Sequence, residues 1–215
     1  MATGAAFHGN FHWALGMIVL GAVFDFFDGM VARLLHISSP IGKELDSLSD
    51  IVTFGVAPSA MLFQLFGLVH YPDAIAALQP FLPYTAFIMA AFSALRLAKF
   101  NLDERQSTSF IGLPTPANAL FWASLCVTQL PFLVSLRFNA VFLFLFMMMF
   151  SFLLVAEVPL FALKFKDLSW HANRVKWIFL AGSVIFLAFM QLTALPVIIL
   201  WYIVLSLLAW KLHFA

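Results

Sequence analysis

The chain has 215 residues, of which 64% are hydrophobic and only 10% are charged, whereas an ordinary soluble domain has roughly 25% charged residues. Together with a mean hydropathy of +1.02, this composition excludes a water-soluble fold and predicts a membrane protein. The net charge of +1 provides no clustered basic face, which excludes nucleic acid as a partner.

Seven apolar stretches reach or approach the roughly 20 residues that a helix needs to cross the hydrocarbon layer. In chain order they cover about 11–35, 51–69, 80–98, 114–134, 138–165, 175–192 and 194–212. The sequence therefore predicts an all-α fold, a polytopic bundle of seven transmembrane helices. This bundle forms a single integral membrane domain over residues 1–215.

The basic residues are distributed unevenly when the chain is threaded through these seven spans. Of the eleven Lys and Arg residues, only Arg137 falls on one side, and all the others fall on the opposite side. Because cytoplasmic loops are rich in Lys and Arg, the loop between the first two spans is predicted to face the cytoplasm. Short loops and the lack of a sorting signal favour a bacterial inner membrane.

Two pairs of aspartates flank that cytoplasmic loop. Asp25 and Asp28 are spaced i,i+3 near the inner end of the first span, and Asp46 and Asp50 are spaced i,i+4 at the start of the second. Each pair shares one helix face, and the turn between them lets the pairs converge. Four uncompensated carboxylates at bilayer depth would cost on the order of 10 kcal/mol. The pattern predicts bound divalent cations, and oxygen ligands favour Mg²⁺, Ca²⁺ or Mn²⁺ over zinc.

Small residues and a cation follow Asp28. Gly29 and Ala32 leave room for a ligand to approach the backbone, and Arg33 adds a positive charge. Metal ions beside a positioned Arg suit phosphate oxygens, where two ions can clamp the groups that attack and leave phosphorus. The alternative is that the aspartates are solvated interfacial groups or helix caps. Four of them in two helical pairs favour the metal site.

The run from Asp25 to Asp50, DFFDGMVARLLHISSPIGKELDSLSD, resembles the signature of the CDP-alcohol phosphatidyltransferase family at its Asp, Gly, Ala and Arg positions and in both spacers. Two later segments, RLAKFN at 96–101 and FIGLPTPANA at 110–119, resemble the branch that makes phosphatidylserine from CDP-diacylglycerol and serine. The resemblance covers nearly the whole chain.

The resemblance implies a role for each aspartate. Asp25, Asp28 and Asp46 would hold divalent metal, Mg²⁺ or Mn²⁺ and two ions in all. Asp50 would reach the second ion and act as the catalytic general base, taking the proton of the serine hydroxyl as it attacks the phosphorus that bears the lipid. The products would be phosphatidylserine and CMP, and a homodimer is a further expectation from the family.

The resemblance also implies substrate contacts. The residues that would contact the CDP headgroup are Gly29, Arg33 and Ser39. The carboxylate of L-serine needs a cation, and Arg96 is favoured because it lies deep in apolar sequence. The other cations near that end of the third span, equally suited to anchoring at the membrane surface, are Lys99 and Arg105.

Members of the family usually begin with one more transmembrane helix before the first Asp pair, and residues 1–10 look like only the tail of that helix. We therefore expect a segment upstream and eight spans in the full protein, with a naturally short chain as the alternative.

Two other functions stay open. Transfer of the phosphatidyl group to glycerol 3-phosphate or inositol is disfavoured by the two segments that begin at Arg96 and Phe110. A non-enzymatic cation transporter is disfavoured because its carboxylates would lie near the bilayer midplane, whereas here they gather at one membrane face.

Overall fold

A computed structural model of the chain describes residues 1–36, 39–102, 110–161, 169–170 and 173–211. Helices dominate these residues, and one short antiparallel pair joins the strands β1 (Phe110–Ile111) and β2 (Pro159–Leu160). The α-helices are α1 Ala2–Phe7, α2 Phe11–Leu34, α3 Pro40–Asp50, α4 Ala57–Leu68, α5 Phe87–Leu102, α6 Thr115–Thr128, α7 Leu130–Leu133, α8 Ala140–Val155, α9 Arg174–Met190 and α10 Ala194–Lys211.

Among the described residues, four helical stretches are long and apolar enough to cross a membrane. They are Phe11–Ala32, Pro40–Leu68, Leu82–Leu102 and Arg174–Lys211. The predicted all-α membrane protein is confirmed at this level, and the count of seven spans stays a prediction.

The fifth predicted span, 138–165, is wrong at its C-terminal end. Helix α8 ends at Val155, and Ala156 is extended. Pro159 has no N–H to donate, and in a continued helix its ring would clash with the carbonyl of Val155. The chain instead forms β2, which pairs with β1.

The second predicted span begins earlier than its apolar run suggests. Helix α3, a π-helical segment at Ile51–Val56 and α4 follow one another without a break, and we call this stretch the central helix. None of the residues of α3 is buried, whereas α4 buries most of its length, including Met61 and Phe66. The polar first half of the central helix therefore lies outside the core that its second half anchors.

Aromatic rings fill the core between α6 and α8. The rings of Phe121 and Phe150 stack with centroids 4.2 Å apart and planes 13° apart, and Trp122 and Phe146 pack edge-on against them. Such pairs add to the free energy of burying the rings, so α6 is held rigidly against its neighbour.

A close contact fixes the position of α2 along the axis of the central helix. A Cβ atom built on Gly21 would lie only 2.6 Å from Cγ2 of Thr53, so a larger residue fits there only if Thr53 shifts. The two helices come from opposite sides of one turn and run antiparallel. Asp25 lies one turn beyond Gly21, and Asp50 lies one turn before Thr53, so this contact brings the two aspartate pairs to the same level.

A second close contact places α5 on another side of the central helix. A Cβ built on Gly55 would lie 3.2 Å from Cβ of Ser93 and 3.7 Å from Cα of Ala90. Arg96 lies one turn beyond Ser93, in the direction of α3. The packing of α5 therefore brings the only deeply buried cation of the described residues toward the end of the central helix that carries Asp50.

The last two helices fold back on each other. Gln191 has a φ of 51° at the short 3₁₀ turn Gln191–Thr193 between α9 and α10. A Cβ built on Gly182 would lie 2.7 Å from Nε1 of Trp201. The 38-residue stretch Arg174–Lys211 is therefore a helical hairpin and not one long helix.

The contact at Gly21 predicts a mutational effect with a specific rescue. Gly21→Ala should lower the free energy of unfolding by about 1–3 kcal/mol through overpacking against Thr53, although alanine favours a helix by roughly 1 kcal/mol over glycine. Thr53→Ser, which removes Cγ2, should restore stability in the double variant. Thermal unfolding of the purified protein in detergent measures both effects.

Gly16→Ala is the matched control, because a Cβ at Gly16 of the same helix would meet no atom within 4 Å. This variant should unfold at an unchanged or higher temperature. A Gly21→Ala protein as stable as the Gly16→Ala protein would contradict the proposed close contact.

Candidate active site

Three of the four predicted aspartates converge. Asp25 and Asp28 project from the last turns of α2, and Asp46 projects from the middle of α3. Each offers a carboxylate oxygen, and these oxygens all lie within 4.8 Å of one another. Asp25 is half-buried, and the other two are exposed. We call these residues the carboxylate cluster.

Asp50 lies outside this group of three, although the sequence places it with them. It is the last residue of α3 and is half-buried. Its carboxylate still interacts electrostatically with all three members of the carboxylate cluster and with Arg96. Asp50 is therefore within electrostatic range of both the negative cluster and the buried cation, and it is separate from the three carboxylates that converge most tightly.

The turn that reverses the chain between α2 and α3 is built around Ser39. Its hydroxyl oxygen accepts a hydrogen bond from the backbone N–H of Gly42 at 2.9 Å, and Pro40 occupies the first turn of α3. These are features of a helix N-terminus. A Cβ on Gly42 would lie 2.9 Å from the Ser39 hydroxyl oxygen, so a larger residue there would displace the cap. Ser39, predicted as a substrate contact, thus also has a structural role.

A cavity of about 670 Å³ opens beside the carboxylate cluster. The residues that line it are Asp28, Gly29, Ala32, Ser39, Gly42, Lys43, Leu45, Asp46 and Ser49. A Cβ built on Gly29 would meet no protein atom within 4 Å, so the backbone there is open to a ligand. Arg33 belongs to α2, but its side chain lies outside the described residues, as does the whole of Arg105.

The carboxylate cluster has the chemistry of a divalent-metal site. Three carboxylates this close repel one another, and they offer only the oxygen ligands that Mg²⁺ and Mn²⁺ prefer. Lys43 lines the cavity, but its ammonium group donates to the carbonyl oxygen of Asn101 at 3.1 Å. A bound divalent cation would supply the positive charge that the cluster needs.

Two hydrogen bonds tie the exposed helix α3 to the C-terminal end of α5. Besides the bond from Lys43, the side-chain amide of Asn101 donates to the hydroxyl of Ser47 at 2.8 Å. Ser47 follows Asp46 directly and precedes Asp50 by three residues. Because α3 buries none of its residues, these bonds position the part of α3 that carries both carboxylates.

Arg96 is buried, with 6% of its surface exposed. Its Nη1 donates to the Thr115 hydroxyl in a long hydrogen bond of 3.5 Å, and its guanidinium carbon lies 5.1 Å from the centroid of the Phe100 ring. Its Nε has no hydrogen-bond partner among the described residues. A buried guanidinium with an unused donor is suited to holding an anionic group.

Sequence reasoning missed Asn101, Ser47, Thr115 and Asn118, the last of which is fully buried in α6. Asn101 and Asn118 lie inside the two segments that carried the resemblance, so polar residues in apolar helices were a signal for both. No sequence signal pairs Ser47 with Asn101, because their contact joins two helices more than 50 residues apart in the chain.

Comparisons with known proteins agree with the geometry. The family model described as CDP-alcohol phosphatidyltransferase matches residues 1–213. A protein of Bacillus subtilis (strain 168) named CDP-diacylglycerol–serine O-phosphatidyltransferase is 36% identical over 164 residues, which cover 76% of this chain and 80% of that protein. A protein of Helicobacter pylori (strain J99) with the same name is 32% identical over 206 residues, which cover 94% of this chain and 81% of that protein.

The bonds between α3 and α5 predict coupled effects on metal binding. Asn101→Leu and Ser47→Ala should each weaken Mn²⁺ binding by about tenfold or less. Loss of a hydrogen bond made directly to a metal ligand typically costs about 10–100-fold, and this bond supports the helix that carries the ligand and not the ligand itself. The double variant should bind no more weakly than the weaker single variant, because both changes remove the same hydrogen bond. Titration of the purified protein with Mn²⁺, followed by electron paramagnetic resonance, measures the affinities.

Ser206→Ala is the control, because the Ser206 hydroxyl donates only within its own helix, to the carbonyl oxygen of Tyr202 at 2.8 Å. This variant should bind Mn²⁺ normally. Losses that simply add in the double variant would show that Asn101 and Ser47 act independently and would contradict the proposed coupling.

Proposed function

The chain belongs to the CDP-alcohol phosphatidyltransferase family, and from this we propose that it transfers the phosphatidyl group of CDP-diacylglycerol to the hydroxyl group of L-serine, releasing CMP. One observation carries the proposal. The signature between Asp25 and Asp50 folds into three converging carboxylates beside an open cavity. The names of relatives that match over most of the chain support serine as the acceptor.

In the proposed reaction the serine hydroxyl attacks the phosphorus that bears the diacylglycerol. A new phosphorus–oxygen bond forms to serine, the bond to CMP breaks, and CMP leaves with the electron pair. Asp50 takes the proton from the attacking hydroxyl as general base. Its electrostatic interaction with both the carboxylate cluster and Arg96 supports this role, because the base has to act where the two substrates meet.

The CDP headgroup would occupy the cavity beside α2 and α3. Gly29 supports this placement, because its backbone faces open space, and Ser39 lines the same cavity. Arg33 would add a cation for phosphate oxygens. These contacts would hold the diphosphate next to the carboxylate cluster.

Asp25, Asp28 and Asp46 would hold the divalent metal, with Asp50 reaching a second ion. Mg²⁺ or Mn²⁺ bound there supplies positive charge to the diphosphate and to the departing CMP. Arg96 would bind the carboxylate of serine, and the burial of its guanidinium group beside Asp50 supports that assignment. The homodimer that the family resemblance implies stays a prediction.

We further propose seven spans with the carboxylate cluster at the cytoplasmic face of a bacterial inner membrane. The helical hairpin of α9 and α10 contributes two spans, and α8, a helix of 16 residues that are all apolar except Ser151, contributes another. Helices α6 and α7 together cover Thr115–Leu133, long enough for one crossing. The other three spans are Phe11–Ala32, Pro40–Leu68 and Leu82–Leu102.

The proposed base predicts the loss of turnover in one variant. With CDP-diacylglycerol, labelled L-serine and Mn²⁺, the purified chain should form labelled lipid and CMP. Asp50→Asn should slow this reaction by about 10²–10⁴-fold, the contribution of a general base, while Mn²⁺ still binds the carboxylate cluster. Asp73→Asn, which changes an exposed carboxylate outside the cluster, should react at the normal rate.

The same assay is repeated with glycerol 3-phosphate or inositol in place of serine as the acceptor. Lipid formed with either of them, but not with serine, would overturn the proposed acceptor. A normal rate for Asp50→Asn would overturn the base.

The proposed topology predicts which positions a membrane-impermeant maleimide can reach. The single cysteine, Cys126, is fully buried, so its replacement by Ala gives a background free of thiols. Leu136→Cys should be labelled in intact spheroplasts, and Leu102→Cys should be labelled only after permeabilisation. Both leucines are more than four-fifths exposed, at 84% and 85%, so accessibility within the protein is matched. The reverse pattern of labelling would contradict the orientation.

A further inference from the structure

Asn118 stands out among the buried polar side chains. It is fully buried in α6, and neither its Oδ1 nor its Nδ2 has a hydrogen-bond partner among the described residues. Among the described residues, Asn118 is the only side chain with two buried polar atoms that both lack a hydrogen-bond partner. Native proteins rarely leave such groups unpaired, since an unmade buried hydrogen bond is costly.

Several buried serines behave differently, although the hydroxyl of Ser59 in α4 also lacks a hydrogen-bond partner among the described residues. The hydroxyls of Ser124, Ser151 and Ser183 each donate to a carbonyl oxygen of their own helix at 2.5–2.9 Å. Their polar atoms are therefore satisfied locally, as is usual for serine inside a helix. An asparagine that makes no such bond has a donor and an acceptor available for another molecule.

The position of Asn118 relates it to Arg96. Asn118 follows Thr115 by three residues, so both lie on the same face of α6, and the Thr115 hydroxyl is the group that accepts from Arg96. The Nε atom of Arg96 is also buried without a partner among the described residues. Two adjacent helices thus bring unpaired donors and an unpaired acceptor to one buried region, and Arg96 links that region electrostatically to Asp50.

These groups complement an α-amino acid that carries both charges. The guanidinium of Arg96 and the Nδ2–H₂ group of Asn118 can donate to a carboxylate, whereas Oδ1 of Asn118 can accept from an ammonium group. We propose that Asn118 binds the amino-acid acceptor and, together with Arg96 and Thr115, selects a zwitterion over a simple alcohol. This inference rests on the proposed function, since it names the residue that recognises the acceptor in that reaction.

Asn118→Leu tests the inference, because leucine has the same branched skeleton of side-chain heavy atoms and no polar atoms. With the full chain, CDP-diacylglycerol and Mn²⁺, the KM for L-serine should rise about tenfold or more, as expected for the loss of hydrogen bonds to charged groups. The KM for CDP-diacylglycerol should stay the same. The variant should also distinguish serine less strongly than the unmodified chain does from two analogues. These are ethanolamine, which lacks the carboxylate, and 3-hydroxypropionate, which lacks the ammonium group.

A residue that only fills space gives the opposite result. Replacing unpaired polar atoms by leucine would then stabilise the fold and leave the KM for serine unchanged, and this outcome would overturn the inference. Ser124→Ala in the same helix is the matched control and should alter neither KM. Asn118→Ala provides a second variant if leucine impairs folding. Serine should raise the melting temperature of the unmodified chain and should not raise that of Asn118→Ala.

The two proposals fail in different ways. If the unmodified chain releases no CMP in response to serine, the proposed function fails, and the inference fails with it. If the unmodified chain uses serine and Asn118→Leu uses it equally well, only the inference fails.

Discussion

The whole site depends on how closely two helices approach the central helix Pro40–Leu68. Gly21 of α2 and Gly55 of the π-helical segment lack the side chains that would hold the neighbouring helices away. Because α2 and α5 both run antiparallel to the central helix, each contact also determines which residues of the two helices face each other one turn further along. Asp25 comes to the level of Asp50 on one side, and Arg96 comes toward the same carboxylate on the other. A shift of one helix by a single turn, roughly 5.4 Å, would separate these charges.

Within the described residues, the fold concentrates charge without neutralising it. The three acids of the carboxylate cluster lie together on the exposed half of the central helix and on the end of α2, while Arg96 is buried one helix away. Close like charges and a buried cation with an unused donor both cost stability in the absence of ligands. A metal ion and an anionic substrate would offset these costs. Relief of the repulsion and of the burial cost would therefore favour their binding. This arrangement is typical of active sites.

Much of the candidate site could be predicted because helical periodicity is local. The spacing of Asp25 and Asp28 places both on one helix face whatever surrounds the helix, and the same holds for Asp46 and Asp50. The burial of Arg96 also followed from the apolar residues around it. The contact between Ser47 and Asn101 could not be predicted, because it depends on which faces of two distant helices meet. Only the packing also separates Asp50 from the three acids that converge most closely.

The sequence by itself determined that the chain is a helical membrane protein with paired carboxylates next to a tight turn, because apolar length, residue spacing and capping residues act over a few turns of helix. The tertiary structure alone decided which three carboxylates converge, that α8 ends at Val155, and that both amide atoms of Asn118 find no partner among the described residues. These features depend on distances between segments far apart in the chain. Such distances follow from the close packing of whole helices, which no local pattern encodes.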